Sequence, residues 1–149
     1  MTAWFLHCVI SVMLMCLIWI IQLVHYPFFK FIDPSKAKQA FEFHQRSISY
    51  IVMPLMIAEL ASATYLLANY YNPFYKLLIA NLVLILIIWI QTFVVMVPLH
   101  IKLVSDFDVN YVKKLVNQNW FRTIIWTIKA ILWVILIYHG FTATSIMTI

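Results

Sequence analysis

The sequence predicts an all-α polytopic membrane protein: an antiparallel bundle of four transmembrane helices, with a short interfacial helix before the fourth span. Three observations carry that prediction. Of 149 residues, 65% are hydrophobic and only 10% charged, against about 25% charged in soluble domains. A single domain of this length cannot hide so much apolar surface in its own core, so lipid must cover the rest. The apolar residues also fall into four runs, each at least about 20 residues long, enough to cross a ~30 Å hydrocarbon core at 1.5 Å per residue.

The first run covers residues 3–29. No Lys or Arg precedes it and it holds no small-x-small cleavage site, so it reads as a retained span. Cys8 and Cys16 within it lack CxxC spacing and read as small buried hydrophobes. Asp33-Pro34 then reads as an N-cap followed by proline at the first helical position. The helix it starts sets Ala37, Phe41, His44 and Ile48 on one face. That helix continues into the second run, residues 47–69. Tyr70-Tyr71-Asn72-Pro73 is a short turn that forces an antiparallel hairpin with the third run, residues 74–101. Val109, Val112, Val116 and Trp120 share a face that leaves out Lys113 and Lys114, the pattern of a short interfacial helix. The fourth run covers residues 120–139. Ala58, Ala61, Ser62 and Ala63 permit close helix approach. Pro54 and Pro98 each free a backbone carbonyl and bend their helices. Gln91 and His100 are half a turn out of phase, so both face inward only if the helix bends at Pro98.

Charge placement predicts orientation. The chain carries a formal +5. Lys30, Lys36, Lys38 and Arg46 lie in the first connection; Lys102, Lys113, Lys114 and Arg122 lie in or beside the third. The opposite side has only Lys76. The positive-inside rule makes both long connections cytoplasmic and both termini external. In a bacterial inner membrane, the simplest expectation for so compact a chain, the termini are periplasmic. This placement accounts for the positive charge without nucleic acid as a partner. A single glycine argues against a Gly-rich phosphate loop.

Four segments bring polar residues to the cytoplasmic end: Gln22, His25 and Tyr26; His44 and Arg46; Pro98 and His100; Asn119, Trp120 and Arg122. His25, His44 and His100 arrive on three different helices, as metal or haem ligands do in bundles. His7 and His139, at the other end, read as interfacial anchors. Deeper in the membrane, residue counting sets Glu59, Lys129 and Gln91 at similar depth. Ionised groups there cost at least about 2.5–3.5 kcal/mol each, so Glu59 and Lys129 are expected to pair, directly or through Gln91. Either the pair fixes helix register or Glu59 serves as a proton carrier, ligand or base. Arg122, Trp126, Lys129 and Trp133 form one face of the fourth span, with indoles and cations alternating as cation–π contacts use them. That face is expected to line the interior or a ligand cleft, flanked by Thr123 and Thr127.

The segments Gln22-Leu-Val-His25-Tyr-Pro-Phe-Phe, Phe41-x-x-His44, Pro54-x-Met56-x-x-Glu59-Leu, Val97-Pro-Leu-His100 and Asn119-Trp-Phe-Arg122-Thr-x-x-Trp126-Thr resemble a family of small four-span bacterial membrane proteins. In size and helix number the chain is more distantly similar to the haem-binding bacterial protoporphyrinogen oxidases and to anthrone-oxygenase-like membrane proteins. The early His-to-Pro spacing differs from the haem-binding type.

These readings lead to an expected function. It is a membrane-embedded oxidoreductase, dependent on haem or a transition metal (iron, copper or zinc), acting on an apolar substrate such as a quinone, porphyrin or lipid. His25, His44 and His100 are the expected metal ligands. Glu59, Lys129 and Arg122 are the expected catalytic groups, with Arg122 meeting an acidic substrate group or a haem propionate. Gln22, Gln91, Asn119 and Trp126 are the expected cofactor contacts. The alternatives are a proton-coupled transporter or conduction protein using Glu59, Lys129 and Gln91, and a non-catalytic small membrane subunit. Either fits a monomer or a homo-oligomer.

Overall fold

The computed structural model describes residues 2–69 and 75–146, with side chains described as far as residue 138. The four helices are α1 (Thr2–Phe31), α2 (Pro34–Asn69), α3 (Tyr75–Ser105) and α4 (Val109–Ile146). No strand occurs among the described residues. All four helices are long and apolar enough to cross a membrane, so the chain is an integral membrane protein of the expected all-α four-helix type. The hairpin turn at 70–73 and the start of the third run lie outside the described residues.

α1 packs on α2 and α4, and α3 packs on the same two. Sequence neighbours are thus spatial neighbours, and the ring closes between first and last helix. Leu14, Ile18, Phe41, Met56, Ile88, Met96, Leu103 and Trp126 fill the centre. Only 28–39% of an apolar 18-residue stretch in each span is buried inside the bundle. The remainder presents side chains such as Ile57, Val83, Ile90, Val94, Ile124 and Ile131, an apolar outer surface suited to lipid.

Asp33 caps α2 as its sequence predicts. Its carboxylate accepts from the Ser35 amide at 2.9 Å and the Ser35 hydroxyl at 2.8 Å. Those two donors hold the Asp33 carboxyl below the usual carboxylate range. A lowered folded value means that the cap contributes above the unfolded pKa and is lost as pH falls through the folded one. Amide exchange at Ser35–Ala37 is expected to accelerate in Asp33→Ala but not in Asp33→Asn, which keeps an acceptor; equal exchange in both variants would show that the cap is idle.

Two wide turns shape the interior. Residues Ile21–His25 in α1 and Thr92–Met96 in α3 are π-helical, and each segment ends two residues before a proline, Pro27 or Pro98. Proline donates no hydrogen bond and its ring crowds the carbonyl four residues back, which a wider turn relieves. The extra residue shifts the helix phase. Thr92, Met96, His100 and Leu103 are therefore all buried, and Gln91 and His100 both face inward, as a bend at Pro98 requires.

Three expectations are corrected here. Residues 109–120 do not form a separate interfacial helix; they are the first turns of α4, which runs unbroken from Val109. Its buried face there is Val112, Leu115 and Asn119, while Val109 and Trp120 are exposed. A continuous helix must keep one phase, and the Arg122–Trp126–Lys129–Trp133 stripe sets it. Cys8 is buried and Cys16 is exposed, both as free thiols, so Cys16 belongs to the outer surface.

Candidate functional site

Both described connections, after Phe31 and after Ser105, lie at one end, with Lys30, Lys36, Lys38, Lys102, Lys113 and Lys114 beside them. At this basic end the three candidate histidines meet. His25 Nε2 and His44 Nδ1 are 2.6 Å apart, with ring centroids at 4.5 Å, and the His44 and His100 rings are 5.3 Å apart. Tyr26, released inward by the π turn, places its hydroxyl 3.0 Å from His100 Nε2. The Arg122 guanidinium stacks over the Trp126 ring at 5.1 Å.

Hydrogen-bond logic assigns the protons. A phenol is a stronger proton donor than an imidazole N–H, and an imidazole nitrogen the better acceptor, so the Tyr26 proton goes to His100 Nε2. His100 then carries its own proton on Nδ1. That nitrogen is buried and has no partner, as are Gln45 Nε2 and Arg122 Nε. All three residues line one cavity of about 230 Å³ between α2 and α3. Its remaining wall is mostly apolar, with Ile48, Val52, Met53 and Met56 from α2 and Phe93 and Met96 from α3. Ser49, Phe93 and Val97 at its edge are exposed, so the cavity opens sideways, towards lipid. It is a mostly apolar pocket with unpartnered donors on three of its lining residues, the form of a small-molecule site.

The histidines as arranged do not suit haem. Their rings touch one another, which leaves no slot for a porphyrin plane. His25 Nε2 and His44 Nδ1 are occupied by each other, leaving His44 Nε2 and His100 Nδ1 as unpartnered nitrogens. No three His, Cys, Asp or Glu side chains among the described residues are grouped as metal ligands.

The other half of the bundle is built differently. Glu59 and Lys129 pair directly at 2.8 Å, each 1% exposed, across the α2–α4 diagonal. Ser11 Oγ and Trp126 Nε1 also donate to the Glu59 carboxylate, at 3.2 Å each. His7 is fully buried and no interfacial anchor. Ser62 Oγ donates to the carbonyl of Ala58, so it accepts from His7 Nδ1 at 2.7 Å. Asn81 Nδ2 donates to His7 Nε2 at 3.2 Å, and Asn81 Oδ1 accepts from Trp133 Nε1 at 3.1 Å. Every ring nitrogen, amide and carboxylate oxygen named in this half has a partner.

Glu59 is fifteen residues from His44 on α2, about 22 Å of helix rise, so it cannot join the histidines. Gln91 is not in the Glu59 layer; its amide donates to the Gln118 carbonyl at 3.1 Å. Residue counting misplaced it because α2 and α4 begin well before their apolar runs and α3 ends only slightly beyond its own. Gln22 and Asn119 knit α1 to α4: Asn119 Nδ2 donates to Gln22 Oε1 at 2.9 Å, and Gln22 Nε2 donates to the Val116 carbonyl at 3.2 Å. Neither lines the cavity. Trp126, a candidate cofactor contact, stands behind Arg122.

Tyr26, Gln45, His7 and Asn81 gained roles that sequence reasoning missed. The first two sit beside His25 and His44, a neighbourhood signal that was available; His7 and Asn81 are single polar residues in apolar runs, which is itself a mark of interior position. Comparison with protein-family models, curated proteins and solved structures finds no match to the chain.

Proposed function

We propose that the protein is a membrane-embedded oxidoreductase that takes an apolar small molecule (a quinone, porphyrin or lipid) from the bilayer at its cytoplasmic end. The observation that carries this reading is that Gln45, His100 and Arg122, each with an unpartnered buried nitrogen, all line one laterally open, mostly apolar cavity. Buried polar groups are normally satisfied, and exceptions mark places where a ligand or water belongs. The adjoining Tyr26, His100, His44 and His25 are proton-carrying rings, suited to the proton exchange that accompanies quinone-type redox chemistry.

The chain's own residues do the following. Gln45 and Arg122 orient the substrate oxygen. His100 gives or takes a proton at Nδ1, with Tyr26 holding its other nitrogen. Met53, Met56 and Phe93 keep water from the tail. A transition metal, when bound, would supply electron exchange; His25, His44 and His100 are the residues that would hold it, once the His25–His44 bond opened. Positive-inside charge supports the cytoplasmic assignment of this end, and a bacterial inner membrane remains the simplest host. The resemblance to small four-span bacterial membrane proteins agrees with that setting. Glu59 and Lys129, saturated and not among the residues that line the cavity, suit register fixing better than proton conduction. A homo-oligomer would pack on the small-residue groove of Ala3, Ala58, Ala61 and Ser62.

The test is substrate binding by anaerobically purified protein, followed by tryptophan quenching, with a short-chain quinone as probe and porphyrin and lipid as comparisons. Saturable quinone binding, weakened on the order of tenfold by His100→Phe, is the expected result. Failure of all three ligand classes to bind would sink the proposal. Elemental analysis of the same preparation reads out the metal; a stoichiometric ion lost on His25→Ala and His44→Ala places it on the histidines.

A further inference from the structure

Arg122 is 5% exposed and lies in a membrane-spanning helix. The chain's five acidic residues are all among the described ones, and only Glu59 forms an ion pair, with Lys129. Arg122 is thus a buried permanent cation without a counter-ion. Intramembrane charges pair, and a guanidinium cannot shed its proton to escape the cost. Stacking on Trp126 relieves this in part and supplies no negative charge.

We propose that the α2–α3 cavity binds a single-chain amphiphilic carboxylate, whose head neutralises Arg122 and whose tail leaves between α2 and α3 into the bilayer. This rests on the cavity being the substrate site and names the substrate class. Four features select it. The ligand must be an anion, because Arg122 has none. It must offer acceptors alone, because Arg122 Nε, Gln45 Nε2 and His100 Nδ1 all donate; a carboxylate has two oxygens and no proton to give, whereas an alcohol would set a donor against donors. It must be small at the head, because about 230 Å³ holds roughly seven or eight water-sized groups, which excludes a diacyl phospholipid. Its body must be apolar and adaptable, matching walls that include Met53, Met56 and Met96.

The test uses full-length protein in nanodiscs of zwitterionic lipid and radiolabelled dodecanoate as probe. Saturable binding is expected, displaced at least ~30-fold better by unlabelled dodecanoate than by methyl dodecanoate or dodecanol, which lack the charge. Arg122→Gln is expected to weaken binding on the order of 100-fold and Arg122→Lys distinctly less, with Gln45→Ala weakening it roughly fivefold. Equal displacement by ester and acid, or unchanged affinity in Arg122→Gln, overturns the proposal. Better displacement by a single-chain phosphate monoester overturns the carboxylate assignment. If Arg122→Gln does not fold, the acid-against-ester comparison on the unaltered protein and Gln45→Ala decide. A short-chain quinone or a porphyrin that binds while dodecanoate does not defeats this inference and leaves the broader function standing; if quinone, porphyrin and lipid all fail to bind, both fall.

Discussion

Lys129→Met is expected to destabilise the bundle by about 3–5 kcal/mol, the cost of leaving a buried carboxylate without its cation. Glu59 sits 1% exposed with Lys129, Ser11 and Trp126 as its donors. Removing Lys129 takes away the one donor that also cancels the charge. Glu59→Leu strands Lys129 in the same way. The double variant Glu59→Leu with Lys129→Met is expected to recover to within about 1–2 kcal/mol of the original, because apolar replacement of a whole buried pair is often neutral or better. Unfolding in mixed micelles of increasing detergent strength, followed by tryptophan fluorescence, measures all three. If the double variant loses the sum of the two singles, the residues are not coupled and the pair does not set the register of α2 against α4.

The same substitution at Arg122, seven residues earlier on the same face, is expected to act in the opposite direction. Arg122→Met removes a buried cation that has no acid to lose. The cation–π contact with Trp126, worth about 0.5–2 kcal/mol, goes with it, but so does the larger cost of a buried charge without a counter-ion, several kcal/mol. The ligand-free variant is therefore expected to be more stable by about 1 kcal/mol. Saturating dodecanoate should reverse the order. A ligand at 100 times its Kd stabilises the protein that binds it by about 2.7 kcal/mol, and the variant forgoes this. Destabilisation of the ligand-free variant comparable to that of Lys129→Met would mean that Arg122 is held for the architecture and not for a ligand.

The two cations show what kind of information each level carries. Both were legible in the sequence as inward-facing, because four residues at spacings of four, three and four on one apolar helix can share only one face. That Lys129 pairs with Glu59 was also legible, from equal depth and opposite charge. That Arg122 lacks a partner was not, since it depends on where the other acids fall in three dimensions. The convergence of His25, His44 and His100 followed from antiparallel order, but contact at 4.5 and 5.3 Å depended on two π turns upstream of Pro27 and Pro98. Proline in an apolar span announced a distortion; only the packed backbone chose a widened turn over a simple kink. Gln22, Gln91 and Asn119 read as cofactor contacts because they were polar and near the histidines. Interhelical hydrogen bonds claimed their amide donors first, and one-dimensional depth cannot separate those two uses.

By itself the sequence determined that this chain spans a membrane four times, which end of the bundle is basic, and which faces turn inward. Those are properties of composition and period: lipid rejects charge, and a helix repeats every 3.6 residues. The tertiary structure decided which inward-facing polar groups satisfy one another and which remain open. Hydrogen bonding is short-ranged and directional, so that division is settled only when four helices have taken their final rotation and rise. It leaves a saturated network around Glu59 and His7 on one side of Trp126, and on the other an Arg122 that still requires an anion.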